Sequence, residues 1–269
     1  MKRCKKIEFE NQNEELVCID LDNKGKLFGI LHSPIRKVPK QPSLIFCGGL
    51  NAERSDVNRI AVKAARTVAK FLPVFRFDYR GLGLSSGETW EMGITSKIQD
   101  IEEIIQYLEA SHACSEFILL GFSDGGKNVL DIAVRQPKVK GIILWNPTMV
   151  QSRETAIKQK PIFDQKLNLF LWRLKGIYLA SSYYREVAEY EKKFEEQINR
   201  LTIPTLIVWG GNDPNVLDTR MFISKLGEKS NFKEIEVPGA THLFSKTQWV
   251  DELLGHTISW LKGEYLTHD

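Results

Sequence analysis

Five short runs of this chain are nearly continuous in apolar residues: SLIFCGG (43–49), PVFRFDY (73–79), EFILLGF (116–122), GIILWNP (141–147) and TLIVWGG (205–211). A strand with one face in water alternates apolar and polar residues, whereas a strand covered on both faces does not. Amphipathic segments lie between most of these runs. DVNRIAVKAARTVAKFL (56–72) places Ile60, Val62, Ala65, Val68 and Ala69 along one stripe. TSKIQDIEEIIQYLEAS (95–111) does so with Ile98, Ile101, Ile104, Ile105 and Leu108, with Thr95 or Ser96 as its expected cap. GGKNVLDIAVRQP (125–137) and WVDELLGHTISWL (249–261) complete the set. Alternating strand and helix predicts an α/β domain: a mostly parallel central sheet with helices on both faces and right-handed crossovers. The chain has 269 residues, enough for one sizeable core.

Two stretches depart from this rhythm. The start reads as an antiparallel hairpin, ELVCIDL (15–21) and KLFGILHSP (26–34) joined by the turn DNKG (22–25). Residues 148–200 contain no run read as a strand, only helical, charged and aromatic sequence. Because they separate two sheet strands, they are expected to form a helical cap insertion, with residues 1–147 and 201–269 making the core domain. Lys and Glu alternate in REVAEYEKKFEEQ (185–197), the pattern of a solvated helix with pairs such as Glu189 and Lys193.

Composition excludes several function classes. A net charge of +3 with charged residues at 26% gives no basic face for nucleic acid. The basic start MKRCKK leads into carboxylates and amides rather than an apolar h-region, so no secretory signal is expected. No membrane span is expected either, since no run of 18 or more apolar residues occurs. Cys4, Cys18, Cys47 and Cys114 show no CxxC spacing and are expected to be reduced thiols of a cytoplasmic protein. The histidines are scattered, so no metal site is expected.

The chemistry concentrates at GFSDG (121–125), a G-x-S-x-G pentapeptide between the apolar FILL and the amphipathic KNVLDIAV. In that setting the serine sits on a tight strand-to-helix corner, with Gly121 and Gly125 letting strand and helix pass close by. The bland alternative is a Gly-rich turn holding a phosphate, but neither GxGxxG nor GxxxxGK[ST] is present here. A serine hydroxyl needs a base. His242, in VPGATHLF just past the run FKEIEV, is best placed. His32, His112, His256 and His268 fall in a hairpin, at a helix end, in a helix and in the tail. The imidazole in turn needs an acid. Asp213, in IVWGGNDPNV, follows a buried strand, and Asp218 is its competitor.

The order Ser123, Asp213, His242 and the elbow together resemble the α/β-hydrolase family over nearly the whole chain. FDYRGLGLSSG (77–87) is similar to that family's D-x-R-G-x-G-x-S turn. The resemblance implies structural roles for Asp78 and Arg80 and turn roles for Ser85 and Ser86. FCGGL (46–50) falls where the family commonly has His-Gly at its oxyanion loop, with Gly48 here in place of histidine. It implies backbone N–H donors at Leu50 and Asp124 for the oxyanion. The Asp124 carboxylate is expected to stabilise the helix it begins, with recognition of a substrate amine as the alternative.

The implied activity is that of a serine hydrolase acting on a small-molecule ester, with no cofactor. Phe163, Phe170, Trp172 and Tyr178 of the insertion are the candidate substrate-binding residues. A thioesterase or acyltransferase, an aminopeptidase-like hydrolase and a non-catalytic ligand-binding homologue are the alternatives. The pattern does not specify an oligomeric state.

Overall fold

The computed structural model describes residues 7–9, 12–22, 25–35, 41–150, 160–174, 176–227 and 229–266. Cys4, His268, residues 23 and 24 of the expected hairpin turn and residues 151–159 of the insertion lie outside them.

Each apolar run forms a strand buried at every position except Lys140. They are β4 (Ser43–Cys47), β5 (Val74–Asp78), β6 (Phe117–Phe122), β7 (Val139–Trp145) and β11 (Thr205–Gly210), after β1 (Ile7–Phe9), β2 (Gln12–Asp20) and β3 (Lys26–Pro34). With β12 (Phe232–Val237) they form one sheet in the order β1-β2-β3-β5-β4-β6-β7-β11-β12. Pairing is antiparallel from β1 through β5 and parallel from there on.

Helices cover both faces. α1 (Ile60–Val68) and α6 (Thr247–Tyr265) bury their apolar sides in one core cluster. α2 (Ile94–His112), α3 (Gly125–Ala133), α4 (Ser181–Arg200) and α5 (Leu217–Lys225) contribute to the other. The expected cap of α2 is displaced. The helix begins at Ile94, so Ser96 sits in its first turn and its Oγ accepts from Gly93 N at 2.9 Å. The Thr95 N–H donates instead to Glu186 Oε2 of α4, at 2.8 Å.

The insertion departs further from expectation. Among its described residues only Ser181–Arg200 is helical. Before α4 come β8 (Ile162–Asp164), β9 (Leu169–Leu174) and β10 (Ile177–Ala180), an antiparallel sheet in the order β10-β9-β8. Turn chemistry decides this. Asp164 Oδ1 accepts from Leu167 N at 2.9 Å, Asn168 has φ +54° and Gly176 φ +90°, so the chain reverses on both sides of β9.

The strand order places the site. From β4 the chain moves to β5 on one side and returns to β6 on the other. This reversal opens a crevice at the carboxyl ends of β4 and β6, where open α/β sheets bind ligands.

Candidate active site

Ser123 stands at the carboxyl end of β6 with φ +54°, in the left-handed region. A non-glycine residue there costs about 1–3 kcal/mol, which the surrounding packing must over-determine. Here it does. Ser123 N donates to Trp145 O at 2.9 Å, and Ser123 O accepts from Gly126 N and Thr148 N at 3.1 and 3.2 Å. The glycines are obligatory: a Cβ on Gly125 would lie 2.3 Å from Cys47 O, and one on Gly121 would lie 2.8 Å from Gly126 Cα. The tight corner lifts the hydroxyl clear of both backbones.

Three distant side chains meet there. Ser123 Oγ lies 2.8 Å from His242 Nε2, and His242 Nδ1 lies 2.6 Å from Asp213 Oδ2. Asp213 caps the turn Pro214–Val216, and its Oδ1 accepts from Asn215 N and Nδ2 at 3.0 and 2.9 Å. With Nδ1–H committed to the carboxylate, Nε2 is free to accept the serine proton. The competitor Asp218 lies in the first turn of α5, and His32 is buried with its Nε2 accepting from Arg76 Nε at 2.8 Å.

Asn146, which sequence reasoning passed over, holds this arrangement. β7 and β11 separate the serine strand from β12, so the loop carrying His242 must cross their tips. Asn146, fully buried at φ +41° just past β7, takes Gly210 N onto Oδ1 at 2.6 Å. Its Nδ2 donates to His242 O at 3.0 Å and to Thr241 O at 3.4 Å.

Opposite the histidine runs the Gly49–Leu50 segment. A Cβ built on Gly49 would lie 3.9 Å from Ser123 Oγ. Among the described residues no acceptor is bonded to the backbone N–H of Leu50 or Asp124. The glycine in place of the family histidine has a steric reason. A Cβ on Gly48 would meet Ala52 Cβ at 2.7 Å and Asp56 Oδ2 at 3.3 Å, so those residues fill the space a side chain would take.

The Asp124 carboxylate stands at the N-terminus of α3 but makes no hydrogen bond to its backbone. Instead Oδ1 accepts from Lys127 Nζ at 3.0 Å and Tyr183 Oη at 2.8 Å, and Oδ2 from Lys97 Nζ at 3.3 Å. Burial alone would raise this carboxyl, but the Lys127 and Lys97 charges and the bonds from Lys127 and Tyr183 outweigh it and hold the carboxyl well below its ordinary range.

A family model described as serine aminopeptidase, S33 (Hydrolase_4) matches residues 40–193, more than half of the chain. The chain belongs to this α/β-hydrolase family. Solved structures share the hydrolase's fold. Est1E from Butyrivibrio proteoclasticus, bound to ferulic acid, is 22% identical with a TM-score of 0.74, over 92% of this chain and 100% of that one. The esterase domain of a Rhodothermus marinus protein is 18% identical with a TM-score of 0.70, over 93% and 98%. A monoacylglycerol lipase from Paleococcus ferrophilus is 18% identical with a TM-score of 0.68, over 88% and 98%. No curated protein sequence matches the chain.

The other family positions of the hydrolase are architectural. Asp78, fully buried, accepts from Arg54 N at 2.6 Å and Leu84 N at 3.0 Å, and Arg80 pairs with Asp100. Ser85 Oγ donates to Asp78 O at 2.7 Å, and Ser86 Oγ accepts from Lys26 N at 2.9 Å. Cys18 and Cys47 are thiols outside any disulfide, and Cys114 Sγ accepts from Ser43 Oγ at 3.0 Å. Among the described residues no group of side chains could hold a metal ion, and no helix is long and apolar enough to cross a membrane.

The pocket over Ser123 encloses about 270 Å³ and is lined on one side by residues 49–53 and 55–57 and on the other by Phe122, His242 and Leu243. None of the four insertion residues expected to bind substrate reaches it. Phe163, Phe170 and Tyr178 are exposed, the first two forming a ring pair at 5.0 Å. Trp172 packs on Tyr184 and donates from Nε1 to Ser181 Oγ at 3.1 Å. The register of the small sheet puts Phe163, Phe170 and Trp172 on one of its faces and Tyr178 on the other.

Asp56 was also missed. It lines the pocket at φ +54°; its Oδ1 accepts from Val57 N at 2.6 Å, and its Oδ2 is buried without a hydrogen-bond partner among the described residues. Burial lifts its carboxyl to about 6, against the smaller pull of the Val57 N–H and His242. The folded state thus favours the protonated acid. That contribution is complete below the ordinary value of 3.8 and is lost as pH rises through 6. Asp56→Asn, which keeps an oxygen for Val57 and cannot ionise, is expected to melt higher than wild type at pH 7.5, by up to about 3 kcal/mol. The gap should close below pH 4. Superimposable melting temperatures across that range contradict this assignment.

Proposed function

We propose that this hydrolase cleaves small carboxylic esters through an acyl-serine intermediate. His242 Nε2 takes the proton as Ser123 Oγ attacks the carbonyl carbon, and Asp213 stabilises the imidazolium. The carbonyl oxygen gains negative charge and rests on the N–H groups of Leu50 and Asp124. His242 then returns the proton to the departing alkoxide, and the alcohol leaves. Water, deprotonated by the same imidazole, attacks the acyl carbon; the bond to Ser123 Oγ breaks, the imidazolium returns the proton to Oγ, and the acid leaves. The observation that carries this reading is the continuous relay from Ser123 Oγ through His242 to Asp213, at 2.8 and 2.6 Å.

The pocket supports a small substrate. Its volume is at the low end for ligand sites, and the side chains of Leu50, Val57, Phe122 and Leu243 suit a short acyl or aryl group. Two structural neighbours are an esterase domain and a monoacylglycerol lipase. The insertion acts as a cap over one end of the sheet, contributing its packing to the elbow through Tyr183 rather than through its exposed aromatics.

One observation favours a second reading. The family description names a serine aminopeptidase, and the carboxylates of Asp56 and Glu53 line the pocket, where a terminal ammonium would find them. A substrate panel separates the two. Short p-nitrophenyl esters are expected to turn over at least about 100-fold more efficiently than aminoacyl p-nitroanilides and acyl thioesters, a difference of about 2.7 kcal/mol in transition-state binding. Preference for the anilides would favour the second reading, and no turnover of any ester would overturn the first.

A further inference from the structure

Lys97 is a buried lysine on the apolar face of α2, one helical turn from the buried Ile94 and Ile101, with its side chain 1% exposed. A residue serving only to fill that space would be apolar, because burying an ammonium is costly unless every donor is satisfied. Its three donors have three acceptors: Gly49 O at 3.4 Å, Leu50 O at 3.1 Å and Asp124 Oδ2 at 3.3 Å. The ring of Tyr79 lies 5.0 Å away.

These acceptors belong to both walls of the oxyanion site. Gly49 C=O and Leu50 N–H are two ends of one planar trans peptide and point in opposite directions. Drawing the carbonyl inward to Lys97 turns the N–H outward, to the side on which Gly49 and Leu50 line the Ser123 pocket. The Asp124 side chain is tied to the same ammonium while its own N–H stands at the start of α3. A bonded carbonyl also polarises its peptide and strengthens the N–H as a donor. Lys97, Lys127 and Asp124 together leave one net positive charge behind the place where negative charge develops.

We propose that Lys97 is the positioning residue of the oxyanion hole, fixing the peptide donors at Leu50 and Asp124 from behind with a single ammonium. The proposal rests on the acyl-serine reading above. Tyr183, whose hydroxyl reaches Asp124 Oδ1 at 2.8 Å, brings helix α4 of the insertion into the same network.

The test compares kcat, KM and inhibition by phenylboronic acid, whose tetrahedral serine adduct places an oxygen in the hole. Lys97→Met is expected to lower kcat on a p-nitrophenyl ester about 30- to 300-fold, somewhat less than outright loss of an oxyanion donor. KM should stay within about threefold, and the boronate Ki should rise by a factor similar to the fall in kcat. A role in stability alone would move the melting temperature and leave the Ki in place. Should the methionine variant fail to fold, Lys97→Gln, polar but too short to reach all three acceptors, carries the same expectations. Either folded variant with wild-type kcat and boronate Ki overturns the proposal while the Ser123 reading stands. If wild type has no esterase activity that Ser123→Ala removes, both fall together.

Discussion

Ser123→Ala is expected to lower ester turnover by roughly 10⁵-fold or more while leaving the fold in place. The activity loss follows from removing the hydroxyl that the proposed mechanism acylates. Structural cost should be small. Alanine at φ +54° is strained to the same degree as serine, and the Ser123 backbone bonds to Trp145, Gly126 and Thr148 use no side-chain atom. The residual rate belongs to binding and to the oxyanion donors, which the substitution leaves standing. Turnover of a p-nitrophenyl ester, measured beside a thermal melt, separates the two effects. A folded alanine variant with a tenth of wild-type activity would remove Ser123 from the chemistry and return the site to a ligand-binding reading.

Asp213→Asn should cost about 10⁴-fold in kcat, through the tautomer of His242 rather than through geometry. Asp213 Oδ1 is held by two donors, the Asn215 backbone N–H and Nδ2. An asparagine at 213 therefore places its carbonyl oxygen there and turns its NH₂ toward His242 Nδ1. Nδ1 must then accept, the ring proton moves to Nε2, and Nε2 can no longer take the proton of Ser123. The melting temperature is expected to change little, because the same contacts survive. An asparagine variant retaining more than about a tenth of wild-type kcat, a loss far short of ordinary general-base losses, contradicts this role for Asp213.

The hydrogen-bonded cluster of Ser123, His242 and Asp213 was legible in the sequence because each member sits at a position local patterning identifies. Ser123 has glycines on both sides at a strand-to-helix corner, and Asp213 and His242 each follow a strand-like run. The sheet was legible for the same reason: strands buried on both faces leave continuous apolar runs. The insertion was not. LFLWRL (169–174) is too short for its period to separate strand from helix, and the deciding signals were the flanking turns at Asp164–Asn168 and Gly176. Reading the run as helix also misplaced Phe163, Phe170, Trp172 and Tyr178 with respect to the pocket.

Residues that support the site left weaker traces. Lys97 and Asp100 fall on the buried side of α2 beside Ile94, Ile101 and Ile104, and a charge on an apolar face signals a buried network. Its partners, the Gly49 and Leu50 carbonyls and Asp124, lie far away in the chain, so nothing local identifies them. Asn146 likewise reads as an ordinary turn residue until the sheet order requires the His242 loop to cross two strands.

Reaction of the wild-type protein with a fluorophosphonate, followed by peptide mass analysis, tests the central claim most directly. The relay predicts a single stoichiometric adduct on the peptide containing Ser123, since the ester-like phosphorus is attacked only by a hydroxyl whose proton His242 has taken. A folded protein that remains unmodified, or carries the adduct on another residue, contradicts the account.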